Sequence, residues 1–146
     1  MIMKTVKHIL SNKTPVVFSV LPTDSVLDAL QLMMEKNISA LLVIEREKLL
    51  GIFTERDYAR KIILQGKSSK DTPIYEAMSA DLRTITSDER IDHCMTLMTN
   101  NHFRHLPVVE QDKVIGMISI GDLVKSIIED QQHTISQLES YINSSY

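Results

Sequence analysis

The sequence predicts a mixed α/β (α+β) fold. Two pseudo-symmetric β-α-β-β-α repeats pack sheet to sheet, and a C-terminal helical tail follows them. Three observations predict it. One heptapeptide occurs twice, as Gly51-Ile52-Phe53-Thr54-Glu55-Arg56-Asp57 and Gly116-Met117-Ile118-Ser119-Ile120-Gly121-Asp122, with the glycines 65 residues apart. The same offset aligns the flanks without a gap and leaves Met33/Met98, Val43/Val108, Glu45/Glu110, Lys48/Lys113, Ile62/Ile127 and Ile63/Ile128 identical. Within each copy, short apolar runs alternate with apolar residues at helical spacing. Identities at turn, core and motif positions alike mark a duplicated folded unit, with equivalent clefts expected between the copies.

The elements follow in chain order. A short amphipathic piece carries Val6, Ile9 and Leu10. Pro15 opens a strand through Val16-Val17-Phe18-Ser19-Val20, a position where proline costs no ladder hydrogen bond. Thr23 or Asp24 is expected to cap a helix with Val26, Leu27, Leu30, Met33 and Met34 at helical spacing. Ala40 to Ile44 is a continuous apolar run of the kind a buried strand shows. After a charged turn at residues 45–48, a strand over Leu49-Leu50-Gly51-Ile52-Phe53 leads into a helix from Thr54 to Gln65, which Gly66 stops. A polar connection and a short helical turn, Ile74 to Met78, precede the second copy. There, Leu82 to Thr86 reads as a strand. Ser87-Asp88-Glu89 starts a helix burying Ile91, Cys94, Met95, Leu97 and Met98, and strands over 106–109 and 114–118 come next. A last helix starts at Gly121. Repeat one covers about 5–66, the linker about 67–73, repeat two about 74–130 and the tail 131–146. In that tail Ile128, Ile135, Leu138 and Ile142 follow a seven-residue pattern broken by Gln131, which fits docking on the chain's own core or, the reading preferred, on a second copy of the chain.

Composition narrows the function. The chain has 146 residues, 43% apolar and 24% charged, as in an ordinary globular domain. Net charge is −3 and the 16 basic residues are scattered, so no footprint for nucleic acid is present. No apolar run approaches the roughly 18–20 residues that span a bilayer. The start lacks the apolar stretch of a secretory signal, and a single cysteine, Cys94, fits a reducing compartment. A cytoplasmic location is expected. Five histidines show no ligand spacing, so no metal is expected. Gly66-Lys67-Ser68 resembles the end of a phosphate-binding loop, but the first glycine of that pattern is missing and a helix stands where a strand is needed.

The hydroxyl-x-x-aspartate pairs Thr54/Asp57 and Ser119/Asp122 admit two readings. Placed where a strand passes into a helix, each is a capping signature, with the hydroxyl accepting a backbone N–H and the carboxylate complementing the helix dipole. The same geometry makes a mononucleotide grip. Free N–H groups at a helix start hold phosphate, and an aspartate one turn in accepts both ribose hydroxyls.

The two motifs, the stretch Asn37-Ile38-Ser39-Ala40-Leu41-Leu42-Val43 with its counterpart His102-Phe103-Arg104-His105-Leu106-Pro107-Val108, and the element order together resemble a tandem pair of CBS (cystathionine-β-synthase-type) domains, a Bateman module. The resemblance covers nearly all of residues 5–130 and makes residues 1–146 a single module. Thr54-Glu55-Arg56-Asp57-Tyr58-Ala59-Arg60-Lys61, with Gln131-Gln132 and Gln137-Leu138-Glu139, resembles stand-alone bacterial pairs that have relatives in plant organelles.

That resemblance implies adenosine-containing ligands (AMP, ADP, ATP, NAD(H) or S-adenosylmethionine) in two clefts. By position, one site would combine Thr54, Arg56 and Asp57 with the lead-in Met78-Ser79-Ala80 and with Phe103 opposite. Ile52 would line its adenine slot, and Ser39 and Ala40 would border it. The other would combine Ser119 and Asp122 with Lys13-Thr14-Pro15 and Ile38, with Met117 lining the slot and Arg104 and His105 near the phosphates. Arg60 and Lys61 could add positive charge. The implied function is a non-enzymatic sensor, a homodimer that signals ligand state to a separate effector protein. A nucleotide-acting enzyme and a ligand-free dimeric scaffold are the alternatives.

Overall fold

The computed structural model describes residues 4–13 and 17–144. Contacts divide the chain into two compact units, each holding one motif aspartate. The Asp57 unit comprises Pro15–Thr86 and Pro107–Met117, and the Asp122 unit comprises Met1–Thr14, Ser87–Leu106 and Ile118–Tyr146. The boundaries cut across the sequence repeats, because the N-terminal segment groups with the second motif.

In the Asp57 unit, β1 (Ser19–Val20) runs parallel to β2 (Ala40–Glu45), joined by α2 (Val26–Lys36), and β2 pairs antiparallel with β3 (Lys48–Thr54). The register sets Ala40 opposite Thr54 and Leu42 opposite Ile52, so β2 and β3 deliver Thr54 to the strand end. The hairpin turns through Arg46 (φ 53°) and Glu47 (φ 66°), the left-handed pair that matches strand twist. Val20, Val26, Ala29, Met33, Leu41, Val43, Phe53, Ile62, Ile74 and Ala77 form the core. That set follows the expected apolar pattern, with two exceptions on α2. Met34 is 81% exposed, and Leu27 lies at the edge, so the buried stripe is narrower than the spacing suggests.

Four boundaries differ from the sequence reading, each for a local reason. Ser25, not Thr23 or Asp24, caps α2, its Oγ accepting from Asp28 N at 3.0 Å, while Asp24 accepts from Leu21 N at 2.8 Å and closes a turn. The helix after β3 begins at Glu55 as α3 (Glu55–Tyr58) and widens into a π-helical turn over Ala59–Ile63, with Leu64 N bonded to Ala59 O at 3.0 Å. Gly66 ends it at φ 67°. The first strand is short, Ser19–Val20, and Thr14, Pro15 and Val16 lie outside the described residues. Residues 82–86 form no strand, only a parallel bridge from Ile85 to Val108.

In the Asp122 unit, α1 (Val6–Ser11) and α4 (Ile91–Asn101) pack on α5 (Ile120–Ser144), around buried Val6, Ile91, Cys94, Met98, Leu106, Ile118 and Leu123. β4 (His105–Glu110) and β5 (Lys113–Ser119) pair as a two-stranded sheet and carry the chain through both units. Residues 87–89 do not start α4. Ser87 O and Glu89 O instead accept from Lys7 N and Val6 N at 2.9 Å each, and residues 87–88 form a turn ahead of the helix. The expected last helix and tail form one uninterrupted α5.

Candidate functional site

In the Asp57 unit, Thr54 ends β3 and caps α3. Its Oγ1 accepts from Asp57 N at 3.2 Å, and Asp57 Oδ2 accepts from Thr54 N at 3.0 Å and from Thr54 Oγ1 at 3.1 Å. The capping reading of the spacing therefore holds in this unit. The other carboxylate oxygen is engaged as well. Ser79 Oγ donates to Asp57 Oδ1 at 2.8 Å, and Lys61 Nζ stands 3.5 Å from the same oxygen. Lys61 also donates to Met78 O at 3.0 Å. Asp57 is 8% exposed, so this carboxylate is closed off by the chain's own donors.

Two features hold the Met78-Ser79 lead-in against β3. Ser79 N donates to Ile52 O at 2.8 Å and Ile52 N to Ser79 O at 3.0 Å. Gly51 makes room for the crossing, since a Cβ there would lie 2.8 Å from Met78 Sδ and 2.9 Å from Ser79 O. The glycine of the first motif is thus a close-approach residue. Ser39 O accepts from Glu55 N at 3.2 Å, and Ala40 is buried, so the border predicted for this site does meet the start of α3. Ala80, Arg56 and Arg60 are exposed.

In the Asp122 unit, Ser119 ends β5. Asp122 N donates to Ser119 Oγ at 3.1 Å and Asp122 Oδ2 accepts from Ser119 N at 2.8 Å, the same reciprocal cap. Arg104 O accepts from Ile120 N at 2.9 Å, matching the Ser39–Glu55 bond 65 residues earlier. The cation differs. Lys13 Nζ donates to Asp122 Oδ2 at 2.7 Å, from the lead-in and not from the helix. The position equivalent to Lys61 is Ser126, which is buried, and its Oγ has no hydrogen-bond partner among the described residues. No donor to Asp122 Oδ1 occurs among the described residues.

Burial pushes the Asp122 carboxyl up, but the Lys13 ammonium and the Ser119 donors outweigh it and hold the group below its ordinary value of 3.8. Burial also dominates at His105. It lowers the imidazole below 6.5, helped by Lys13 and Arg104 and opposed by Asp122. His105 is therefore neutral at pH 7. The residues gathered in this unit are Lys13, Arg104, His105, Ser119 and Asp122. Phe103 belongs to this unit as well, whereas Ile38, Ile52 and Met117 belong to the Asp57 unit. Thr14 and Pro15 lie outside the described residues.

The sequence analysis grouped Arg56 with Asp57, set Arg104 and His105 near the phosphates of the other site, and included Lys13 and Lys61 without pairing them to a carboxylate. The ion pairs of the two aspartates are made by Lys61 and Lys13. For Lys61 a signal existed, since an aspartate four residues before a lysine faces it on a helix. Lys13 and Asp122 are 109 residues apart, beyond any local rule.

A cavity of about 550 Å³ at the start of α4 holds none of the motif residues. Within its lining Arg90 pairs with Asp92 at 2.7 Å and His93 with Glu89 at 2.6 Å. Among the described residues no group of His, Cys, Asp and Glu is placed to hold a metal ion, and no helix is long and apolar enough to cross a membrane.

The CBS domain family matches residues 6–64 and 74–129. A mitochondrial CBS domain-containing protein of Arabidopsis thaliana is 41% identical over 128 residues, covering 84% of this chain and 62% of its own length. The chain thus spans less than two thirds of that relative. A solved CBS-domain protein from Burkholderia ambifaria is 50% identical, with a TM-score of 0.84, over 88% of this chain and 96% of that one. The CBS domain pair of protein MJ0100, solved with 5′-methylthioadenosine and S-adenosyl-L-methionine, is 27% identical, with a TM-score of 0.76, over 88% of this chain and 99% of that one. The two motifs, their strand-to-helix placement and these likenesses converge: the chain belongs to the CBS domain family and carries two CBS domains in tandem.

Proposed function

We propose that the chain is a regulatory adenine-nucleotide sensor. It binds AMP, ADP, ATP or NAD(H), and as a homodimer signals its ligand state to a separate effector protein through rearrangement of the repeats or of the dimer. One observation carries this reading: Asp122, already below its ordinary pKa, presents an acceptor oxygen with no donor among the described residues, beside a helix start and a lysine. A ribose diol offers two hydroxyl donors to such a carboxylate, and Lys13, Arg104 and the first N–H groups of α5 offer positive charge to a phosphate. The adenosyl ligands of the MJ0100 pair support the same ligand class.

In this proposal the second site takes Ser119, Asp122, Lys13, Thr14, Pro15, Ile38, Met117, Arg104 and His105. The first takes Thr54, Arg56, Asp57, Ile52, Ser39, Ala40, Met78, Ser79, Ala80 and Phe103. The motifs supply grip without a nucleophile, so no reaction is proposed. Titration calorimetry with AMP, ATP, NADH and S-adenosylmethionine tests it. Submillimolar binding is expected, weakened about 10- to 100-fold in Asp122→Ala through loss of a charged hydrogen bond. Failure of all four to bind below millimolar, or unchanged binding in both Asp57→Ala and Asp122→Ala, overturns it.

A further inference from the structure

By position Lys61 reads as added positive charge for a phosphate. Its surroundings point the other way. An ammonium carries three donors and no acceptor. Three acceptors of its own unit surround the Lys61 Nζ: Met78 O at 3.0 Å, Ser79 Oγ at 3.4 Å and Asp57 Oδ1 at 3.5 Å. The contacts form a chain, since Ser79 Oγ accepts from Lys61 and donates to Asp57 Oδ1 at 2.8 Å. Its acceptors are held in place, because backbone hydrogen bonds between Ser79 and Ile52 tie the lead-in to β3. Lys61 itself rises from the π-helical turn over Ala59–Ile63, a geometry frequent at functional positions.

Which carboxylate oxygen the lysine faces is decisive. In both copies the cap uses Oδ2, which accepts from Thr54 N or from Ser119 N. Oδ1 is therefore the oxygen left to an outside donor such as a sugar hydroxyl. Lys13 meets Asp122 on the cap oxygen, Oδ2, at 2.7 Å, and no donor to Oδ1 occurs among the described residues. Lys61 and Ser79 converge instead on Oδ1 of Asp57. The residue 65 positions after Lys61 is Ser126, whose buried Oγ has no hydrogen-bond partner among the described residues.

We propose that Lys61, with Ser79, is a built-in occupant of the Asp57 site and sets the order of filling. A ribose-bearing ligand takes the Asp122 site first and enters the Asp57 site only by displacing the lysine. This deepens the sensor reading and rests on it. Positions 61 and 126 then set affinity, lysine making the weaker site and serine the stronger, so one ligand class is read over two concentration ranges. The physical reason is competition. A ligand that binds only the minor, vacated state has its affinity reduced by the fraction of chains in that state.

The test has a distinctive sign, because removing a cation should strengthen binding. Adenosine is the probe, since it offers the ribose diol and no phosphate. Nuclear magnetic resonance titration of the full chain in an Asp122→Ala background reads the Asp57 site alone. There Lys61→Met should lower the adenosine Kd at least about 5-fold. Lys61→Ala, which restores none of the contacts, should give the same gain and carries the test if the methionine packs poorly. An adenosine Kd that is unchanged or raised in both variants, with AMP weakened, makes Lys61 a phosphate cation and overturns the proposal.

A second arm needs no nucleotide. Acetylation of the ligand-free chain, followed by mass spectrometry, should modify Lys61 about 3- to 5-fold more slowly than exposed Lys67 and Lys70, the range of a partly exposed ion pair. Asp57→Asn should narrow that gap. Lys61 reacting as fast as Lys67 and Lys70 overturns the proposal. Slow Lys61 acetylation with no binding of adenosine or AMP by any chain overturns the sensor reading and the order of filling with it, while supporting the occupied carboxylate.

Discussion

Asp57 and Asp122 stand at equivalent positions of a duplicated unit, and both close the same reciprocal cap with a hydroxyl three residues earlier. Beyond the cap they part. Around Asp57, Ser79 from the lead-in and Lys61 from the following helix turn engage the second oxygen, and the residue is nearly sealed. Around Asp122, the helix position that held lysine holds Ser126, and the cation arrives as Lys13 from the N-terminal segment. The two copies share the cap geometry but draw their cation from different places, the helix in one and the lead-in in the other. Among the described residues, both oxygens of the Asp57 carboxylate have partners, whereas only one oxygen of Asp122 does. Lysine carries its charge on a flexible four-carbon stem, so Lys13 is suited to yield its place.

The largest expected effect breaks the Asp57 half. Gly51→Ala places a methyl against Met78 Sδ and Ser79 O, and should lower stability to urea by about 1–3 kcal/mol, as overpacking does. Gly121→Ala, in the Asp122 half, meets only Ser119 Oγ at an ordinary 3.6 Å. It should be neutral or stabilising by up to about 1 kcal/mol, because alanine favours helix. Equal losses in the two variants would erase the contrast.

A smaller effect concerns the cation. Lys13→Met should lower stability at neutral pH by about 0.5–1 kcal/mol, the range of a partly exposed ion pair. The Asp122 carboxyl is held below 3.8 in the folded chain. Its contribution is therefore fully present above that value and fades as pH falls through the lower folded value. The difference between wild type and Lys13→Met in urea midpoints should close in acid. A difference that persists at low pH would mean Lys13 acts through packing alone.

The smallest effect is a titration. His105 is held below 6.5, so the unfolded chain binds its proton first and stability declines as pH drops below about 6.5. Proton NMR should find its midpoint below 6.5, and His105→Gln should remove that part of the slope. Binding of an anionic ligand nearby should raise the midpoint. A midpoint at or above 6.5 in the ligand-free chain would contradict the burial described for His105.

The fold was legible where the signal is local. The 65-residue repeat announced two copies of one unit, the apolar runs at 40–44 and 49–53 became β2 and β3, and Gly66 ended its helix in a left-handed conformation. Helix starts were less legible. Ser25 and Asp24 are both capable caps, and the choice between them fell to Ile74 N, which takes the Asp24 carbonyl at 2.8 Å and pins the turn. The expected strand at 82–86 shrank to one bridge, because a run that short is stabilised only by its neighbours.

The sequence by itself determined the duplicated architecture, the two hydroxyl–aspartate pairs and their placement at helix starts, because repeat period, hydrophobic spacing and cap chemistry act within a few residues. Only the tertiary structure decided which donors reach each carboxylate. Lys13 meets Asp122 across 109 residues of chain, and Ser79 meets Asp57 because Gly51 lets the lead-in approach β3. Those contacts follow from how separate segments pack, and the resulting burial and local charge set the electrostatics of each half.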